Sequence, residues 1–412
     1  MNARPRVAIT GIGVVTPLGI GKDAFWSSLL DGTVAVDTIE RFDASEFPSQ
    51  IAAEIRDFDP SAYMNRRRLQ WTDRFSQLAV VAAKLACEDA ALTFSDPAAA
   101  GVYTGSALGG LAFAEEQIGV FHREGLRAVR PLLTISVFGG AAASNVAIEF
   151  GLNGPAISNA NSCAAGAIAI GQALEALRSG LVNVALAGGV EAPLAPLTFG
   201  AFTVARAMST RNGDPKSASR PFDRDRDGFV MAEGAGFLVL ERYDDAVRRG
   251  ARVYAEIAGF GTSNDAYHMA APRADGSQVA QAMRTALADA SVSAEEVEAI
   301  NAHGSSTQAG DAAELRAYHA VFGERAARIP ITATKSQHAH ALGATGAWEA
   351  AITALSIAHG VLPGNVNFAS ADDGDAIECA RTPRELSPRV VLSNSSGFGG
   401  INAVLVMREP QR

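Results

Sequence analysis

Apolar positions along this chain fall into two alternating patterns. Short β-branched runs end in glycine: Val7-Ala-Ile-Thr-Gly-Ile-Gly, Gly101-Val-Tyr-Thr-Gly-Ser and Val182-Asn-Val-Ala-Leu-Ala-Gly-Gly. Each reads as a strand running into a glycine-rich loop. Alanine-rich stretches with helical spacing lie at Phe75 to Leu92, Ala164 to Ser179 and Gly276 to Ala290. Alternation at this length predicts an α/β fold with a mainly parallel sheet covered by helices on both faces. The pattern also echoes itself. Val253-Tyr-Ala-Glu-Ile-Ala-Gly-Phe-Gly resembles the opening strand, and Glu298-Ala-Ile-Asn-Ala-His-Gly-Ser resembles Gly101-Val-Tyr-Thr-Gly-Ser. Two similar halves are expected, residues 1–252 and 253–412, packed as one body because no low-complexity linker divides them.

Composition narrows the class. Of 412 residues, 48% are hydrophobic and 19% charged, enough for a large core and too apolar for disorder. The net charge is −9, and the longest basic block is Arg66-Arg67-Arg68, so nucleic-acid binding is not expected. No apolar run approaches the ~20 residues of a membrane span, and Met1 to Arg6 lack the apolar core of a secretory leader. Three scattered cysteines, Cys87, Cys163 and Cys379, make no disulfide framework. A reducing, cytoplasmic location is the expectation.

Several motifs fail on inspection. Gly11-Ile-Gly13 follows a strand, but Thr16 occupies the third glycine position of a dinucleotide fingerprint. Asp223-Arg-Asp225-Arg-Asp227-Gly228 begins like a calcium loop, yet the twelfth position is Gly234 and arginines neutralise the acids. A salt-bridged loop is the better reading. His303, His338 and His340 could form a zinc set, but the neighbouring cation Lys335 opposes a second cation. No metal is expected.

Cys163 carries more. It stands in Asn159-Ala-Asn-Ser-Cys-Ala-Ala-Gly-Ala-Ile-Ala, between a short strand and a run of small residues suited to a tightly packed helix. A helix N-terminus favours thiolate and should lower the thiol below its usual ~8.5. Local sequence alone leaves a nucleophile and a buried structural cysteine equally open. Cys87 reads as core, and Cys379 has no chemistry around it. Three further loops follow strands: Asn301-Ala-His-Gly-Ser-Ser-Thr, Thr334-Lys-Ser-Gln-His-Ala-His, and Ser395-Ser-Gly-Phe-Gly-Gly-Ile-Asn. Loops at the carboxyl ends of strands converge on one crevice. One thiol, two histidines, a lysine and a glycine loop offering N–H groups make an acyl-transfer set.

The whole chain resembles the β-ketoacyl-[acyl-carrier-protein] synthases, closest to type II, of the thiolase-like superfamily. The opening Thr10-Gly-Ile-Gly-Val-Val-Thr-Pro-Leu-Gly, the cysteine segment, Ser209-Thr-Arg-Asn, Ser219-Arg-Pro-Phe-Asp and the three loops occur in the family's order. The resemblance implies duplicated thiolase-like halves in five α-β-α-β-α layers and a homodimer. It implies decarboxylative condensation of an acyl group on Cys163 with malonyl-carrier protein, in fatty-acid elongation. His303 and His340 are implied to act on the malonyl thioester, Lys335 to hold the polar network with Glu349 as counter-charge, and Cys163 and Phe398 N–H groups to form the oxyanion hole. Asp311 and Asn402 are implied to belong to a structural polar network.

By the same resemblance Ser305 and Thr307 touch the pantetheine arm, and Phe202 borders the acyl entrance with Phe398. Leu108, Leu111 and the partner subunit's Leu133 set the pocket's depth. Arg66, Arg67, Arg68, Arg127, Arg130 and Arg206 are implied to meet the acidic carrier protein. No cofactor is implied, because phosphopantetheine arrives on the carrier. Alternatives are a ketosynthase of a polyketide or specialised-lipid pathway, and a non-catalytic chain-length partner, which Cys163 argues against; a cysteine hydrolase fits the paired histidines poorly. The chain departs from the family pattern at Asn161-Ser162, at Ala339 where glycine is usual, and at Ser396 where phenylalanine is usual. The expectation is a looser gate and an acyl chain of unusual length or polarity, with a strained backbone at Ala339 if that position is left-handed.

Overall fold

The computed structural model describes residues 4–411; the outermost positions of the two expected halves lie outside the described residues. The strands of the main sheet follow in the order Glu378–Cys379, Pro330–Thr332, Ala299–Asn301, Val390–Gly397, Ile401–Arg408, Ala255–Asn264, Val7–Thr16, Gly234–Arg242, Val184–Glu191, Ala100–Gly105 and Ala156–Asn159, from one edge to the other. The expected helices form at Arg74–Asp89, Ala165–Ser179 and Ser277–Ala290, within a few residues of the spans read from the pattern.

The mainly parallel sheet needs correcting. Pairings are parallel only toward the two edges, as between Ala100–Gly105 and Ala156–Asn159. The centre is antiparallel: Val7–Thr16 pairs with Gly234–Arg242 on one side and with Ala255–Asn264 on the other. The cause is the repeat. Each half contributes its strands in the same spatial order, and the halves meet through their first strands, Val7 opposite Ile257.

Helices make three layers around this sheet. Arg74–Asp89 covers the strands of the first half, and Ser277–Ala290 covers those of the second. Ala165–Ser179 and Thr345–His359 lie between the halves and pack on each other as well as on strands. With the two halves of the sheet this gives the five-layer thiolase-like arrangement. Apolar side chains form the core of these layers, and the central helix Thr345–His359 is buried over most of its length. Among the described residues no helix is long and apolar enough to cross a membrane.

Glycine marks the closest approaches, and it does so twice. A Cβ on Gly11 or Gly13 would overlap the Ala86 or Ala82 carbonyl of the helix above. In the second half a Cβ on Gly259 or Gly261 would overlap Ala286 or Ala282 in the same way. We expect Gly13→Ala to cost ~3 kcal/mol or more, because rigid backbone cannot yield. Gly213→Ala, where a Cβ meets open space, should stay within ~0.5 kcal/mol. Urea titrations of the two variants make the comparison.

Candidate active site

The strand Ala156–Asn159 delivers the chain to a tight turn, Ser162–Ala164, which leads into the helix Ala165–Ser179. Asn159 braces the turn: its Nδ2 donates to the Ala165 carbonyl at 3.0 Å. Ser162 takes φ +54, a left-handed backbone held just before the cysteine. The other half of the chain closes over this turn, since a Cβ on Gly397 would stand 2.9 Å from the Cys163 nitrogen. The Phe398 N–H favours negative charge on the Cys163 sulfur.

The expected lowering of the thiol is overturned. Burial pushes Cys163 up to about 11, against the opposing pull of the Lys335 charge, the Ser162 hydroxyl and the Phe398 N–H. The resting group is therefore a thiol, and the donors around it favour charge only as it develops. Cys87 and Cys379 are also pushed up to about 12 by burial, and Cys379 sits 3.4 Å from Asn365 Nδ2.

His303 ends the strand Ala299–Asn301, and its N–H donates to Glu314 Oε1 at 2.7 Å. Gly304 donates to the other Glu314 oxygen at 2.8 Å, and Asn394 Nδ2 and the Tyr318 hydroxyl complete the carboxylate's shell. His340 is anchored by its N–H on Val230 O at 2.8 Å, and its Nδ1 meets the Thr345 hydroxyl at 3.1 Å. The two rings stand edge to face, 5.4 Å apart. Burial first, and the Lys335 charge second, hold both imidazoles well below their ordinary range, so both are neutral at pH 7. No ring nitrogen of His303, and only one of His340, has a partner among the described residues. Each imidazole thus keeps a nitrogen for substrate.

Lys335 is fully buried and bonds to Glu349 and to the His303 carbonyl. Glu349 is pushed up to about 7 by burial, with the ammonium opposing. Asn301 Oδ1, Asn394 Oδ1 and the second Glu349 oxygen are buried acceptors without a partner among the described residues. His338 is no part of a metal set. It turns into the core against Phe25 and Trp348, with its ring nitrogens on Thr334 and on the Ala339 carbonyl. The Asp223 loop is ion-paired, Asp223 to Arg220 and Arg226 to Asp372.

One cavity is lined by Cys163, His303, His340, Ser305, Thr307, Phe202, Ser396 and Phe398. Phe202 and Phe398 stack at its mouth, 6.1 Å between centroids. Ser305 and Thr307 share a hydrogen bond at 2.8 Å. Asp311 holds that loop by accepting from Ser306 N–H and Phe222 N–H. Asn402 lines the same cavity but bonds to Asp265 at 2.9 Å, away from the Lys335 pair. Leu108 packs in the apolar cluster that holds Cys163 and Phe202. Leu111 opens the helix Leu111–Glu124 and is exposed in the single chain. Leu133, implied from a partner, does not reach this chain's own cavity. Among the six arginines, Arg66, Arg67, Arg127, Arg130 and Arg206 are exposed. Arg68 must be withdrawn from a free patch, since its guanidinium is engaged by Asn145 and Glu149.

Glu314 and Glu191 were not singled out from sequence. Glu314 lies one helical turn beyond Asp311, and that spacing of two acids on one helix face was the available signal. Glu191 is a lone acid ending an apolar strand.

Residues 4–246 match the model of the beta-ketoacyl synthase N-terminal domain, and 254–369 match that of the C-terminal domain. The chain belongs to the beta-ketoacyl synthase family. It is 41% identical over 405 residues to 3-oxoacyl-[acyl-carrier-protein] synthase 2 of Coxiella burnetii, covering 98% of each chain. The same enzyme of Vibrio harveyi is 39% identical, with 99% of each covered. Among solved structures, a type II polyketide ketosynthase in complex with its acyl-carrier protein superposes with a TM-score of 0.91 at 35% identity, covering 99% of this chain and all of that one. The ishigamide ketosynthase/chain length factor gives 0.92 at 35%, with the same coverage.

Against this family pattern Ala339 is informative. It takes φ +59 and ψ −158, a region open essentially to glycine alone, and it is fully buried between His338 and His340. The position takes a positive φ, the condition under which strain was expected. Ala339→Gly should raise stability by about 1 kcal/mol, net of glycine's greater freedom when unfolded. Equilibrium unfolding measures it; a loss of stability would show that the strain is already relieved by packing.

Proposed function

We propose that this chain joins an acyl group carried on Cys163 to malonyl-acyl-carrier protein, giving 3-oxoacyl-carrier protein in fatty-acid elongation. The observation that carries the reading is one cavity holding a thiol beneath the Phe398 N–H and two neutral imidazoles with free ring nitrogens. Cys163 first exchanges with the pantetheine thioester: a C–S bond forms to the enzyme, and the carrier leaves as its thiol. The malonyl thioester then loses carbon dioxide, and charge builds on its carbonyl oxygen. Two imidazole N–H donors are suited to that charge, because they bring no competing positive charge. The carbanion attacks the acyl carbonyl, and the new C–C bond expels Cys163 as a thiolate, which takes up a proton from solvent. N–H groups of Cys163 and Phe398 are aimed at the acyl oxygen during this step.

In this reading no cofactor resides in the chain; the pantetheine arm comes with the carrier and passes Ser305 and Thr307. The carrier meets the exposed arginines Arg66, Arg67, Arg127, Arg130 and Arg206, which offset the chain's overall acidity locally. The solved complex of a related ketosynthase with its carrier supports such a partner. A homodimer is supported by the edge strand Ala156–Asn159, which pairs on one side only and leaves Ile157 exposed. A cytoplasmic location fits three free thiols.

Cys163→Ala is expected to abolish acyl-enzyme formation, read by intact mass, with unfolding unchanged. Covalent labelling that persists in this variant overturns the nucleophile. His303→Ala or His340→Ala should slow malonyl decarboxylation ~10²-fold or more while Cys163 acylation falls much less. Equal loss of both half-reactions overturns the separate roles.

One observation favours a second reading, a ketosynthase of a polyketide or specialised-lipid pathway. The Ser396 hydroxyl is buried against the cavity with no hydrogen-bond partner among the described residues. A polar or unsaturated acyl chain suits such a wall better than a saturated one, since an unmet buried hydroxyl is costly. Ser396→Phe should narrow the accepted acyl chains toward simple saturated ones. An unchanged profile across a panel of acyl-carrier proteins leaves plain elongation standing.

A further inference from the structure

Glu191 ends the strand Val184–Glu191 and is completely buried. No lysine, arginine or histidine forms an ion pair with it among the described residues. Its carboxylate is instead held by four neutral donors from two other loops. Oε1 accepts from the Ser106 hydroxyl and the Leu108 N–H, both at 3.0 Å. Oε2 accepts from the Ala107 N–H at 2.7 Å and the Gly343 N–H at 3.0 Å. Ser106 Oγ in turn accepts from Gly109 N–H at 2.8 Å.

These two loops carry apolar residues of the cluster that holds the nucleophile. Leu108 and Leu342 belong to one cluster with Phe229, Phe202 and Cys163, and Leu342 also lines the cavity. Leu342 takes φ +43, an unfavourable backbone for a branched residue that its neighbours must hold in place. The fit around the carboxylate leaves no slack: a Cβ on Gly343 would stand 2.6 Å from Ala107 N and 2.8 Å from Glu191 Oε2.

We propose that Glu191 is a positioning residue that pins Leu108 and Leu342 together and so sets the shape of the acyl-binding wall beside Cys163. The inference rests on the proposed condensation reaction and deepens it. An ionised carboxylate is the group that fits, because both oxygens receive two donors each. An amide nitrogen in place of either oxygen would face an N–H that cannot turn away. Burial pushes the Glu191 carboxyl up to about 7, so its ionised form depends on those four donors. The His340 backbone is fixed apart from the clamp, by Val230 O and Ala232 N–H.

The test compares unaltered enzyme, Glu191→Gln and Ser106→Ala in two separate half-reactions. Acylation of Cys163 is followed by intact mass with short, medium and long saturated acyl-carrier proteins. Decarboxylation of malonyl-carrier protein is followed separately. Glu191→Gln should compress the preference between best and worst acyl donors by about tenfold, the scale of a lost hydrogen bond to a buried charge. Decarboxylation should change less than about twofold. Ser106→Ala removes one donor and keeps the carboxylate, so it should compress the preference in the same direction by about threefold. It also decides the matter should Glu191→Gln not fold. An unchanged chain-length preference in Ser106→Ala, or equal loss of both half-reactions in Glu191→Gln, overturns the positioning role. Unaltered enzyme that takes up no acyl chain overturns the proposed function itself, and this inference with it.

Discussion

Everything at the site depends on how closely the two central helices begin. Ala165–Ser179 and Thr345–His359 start side by side, and a Cβ on Gly166 would lie 2.8 Å from the Gly343 carbonyl and 3.0 Å from Ala347 N. Only small residues allow this approach, which is why both helix starts read as runs of alanine and glycine. Close packing places the cysteine turn of one half against the histidine turn of the other. The nucleophile and its imidazoles therefore come from residues 177 positions apart in the chain (Cys163 and His340), held by rigid elements rather than by a mobile loop. Duplication supplies the symmetry, and divergence at the two equivalent helix starts supplies different chemistry: a thiol at one, a strained turn after a histidine at the other.

The buried cation controls the electrostatics. Lys335 contacts Glu349 and the His303 carbonyl with no exposure to water, and removing one member of such a pair typically costs ~3–5 kcal/mol. Its charge has a chemical consequence beyond structure. It opposes protonation of His303, His338 and His340, and it pulls the Cys163 thiol toward ionisation against the cost of burial. One lysine thus favours neutral imidazoles and negative sulfur at once. The same sign preference suits a reaction in which negative charge appears on a thiolate, on an enolate oxygen and on a tetrahedral oxygen in turn.

Much of this was legible in the sequence because local pattern and global role agree. The strands at Val7 and Ala100, the three helices and the order of the cysteine, histidine and lysine loops follow from periodicity and from the family motifs. Antiparallel pairing at the centre was not legible, since it arises from how two repeats meet and no local residue encodes it. The thiol's upward shift escaped for a similar reason: a helix start is visible in sequence, whereas the burial that outweighs it is tertiary. Arg68 failed because a basic run does not reveal which of its members has an internal partner such as Glu149. Glu191 escaped because three of its four donors are backbone N–H groups, which carry no residue-type signal.

Local strain gathers where the chemistry is. Ser162, Ser306, Ala339 and Leu342 all take positive φ without being glycine, and all lie in loops that border the same cavity or adjoin a residue that does. Such conformations persist only where surrounding contacts over-determine them. The contacts are identifiable here: Asp311 holds Ser306 by its N–H, Glu191 holds the turn after Leu342, and the Val230 and Met231 strand holds His340 just after Ala339. In each case a buried carboxylate or a neighbouring strand takes the backbone donors that a strained turn leaves unmatched. Rigidity near the nucleophile is thus built from polar clamps under an apolar wall. The clamps also explain why Ser396 stands apart. It is a buried hydroxyl on a cavity-lining residue, with no clamp to serve and no partner among the described residues.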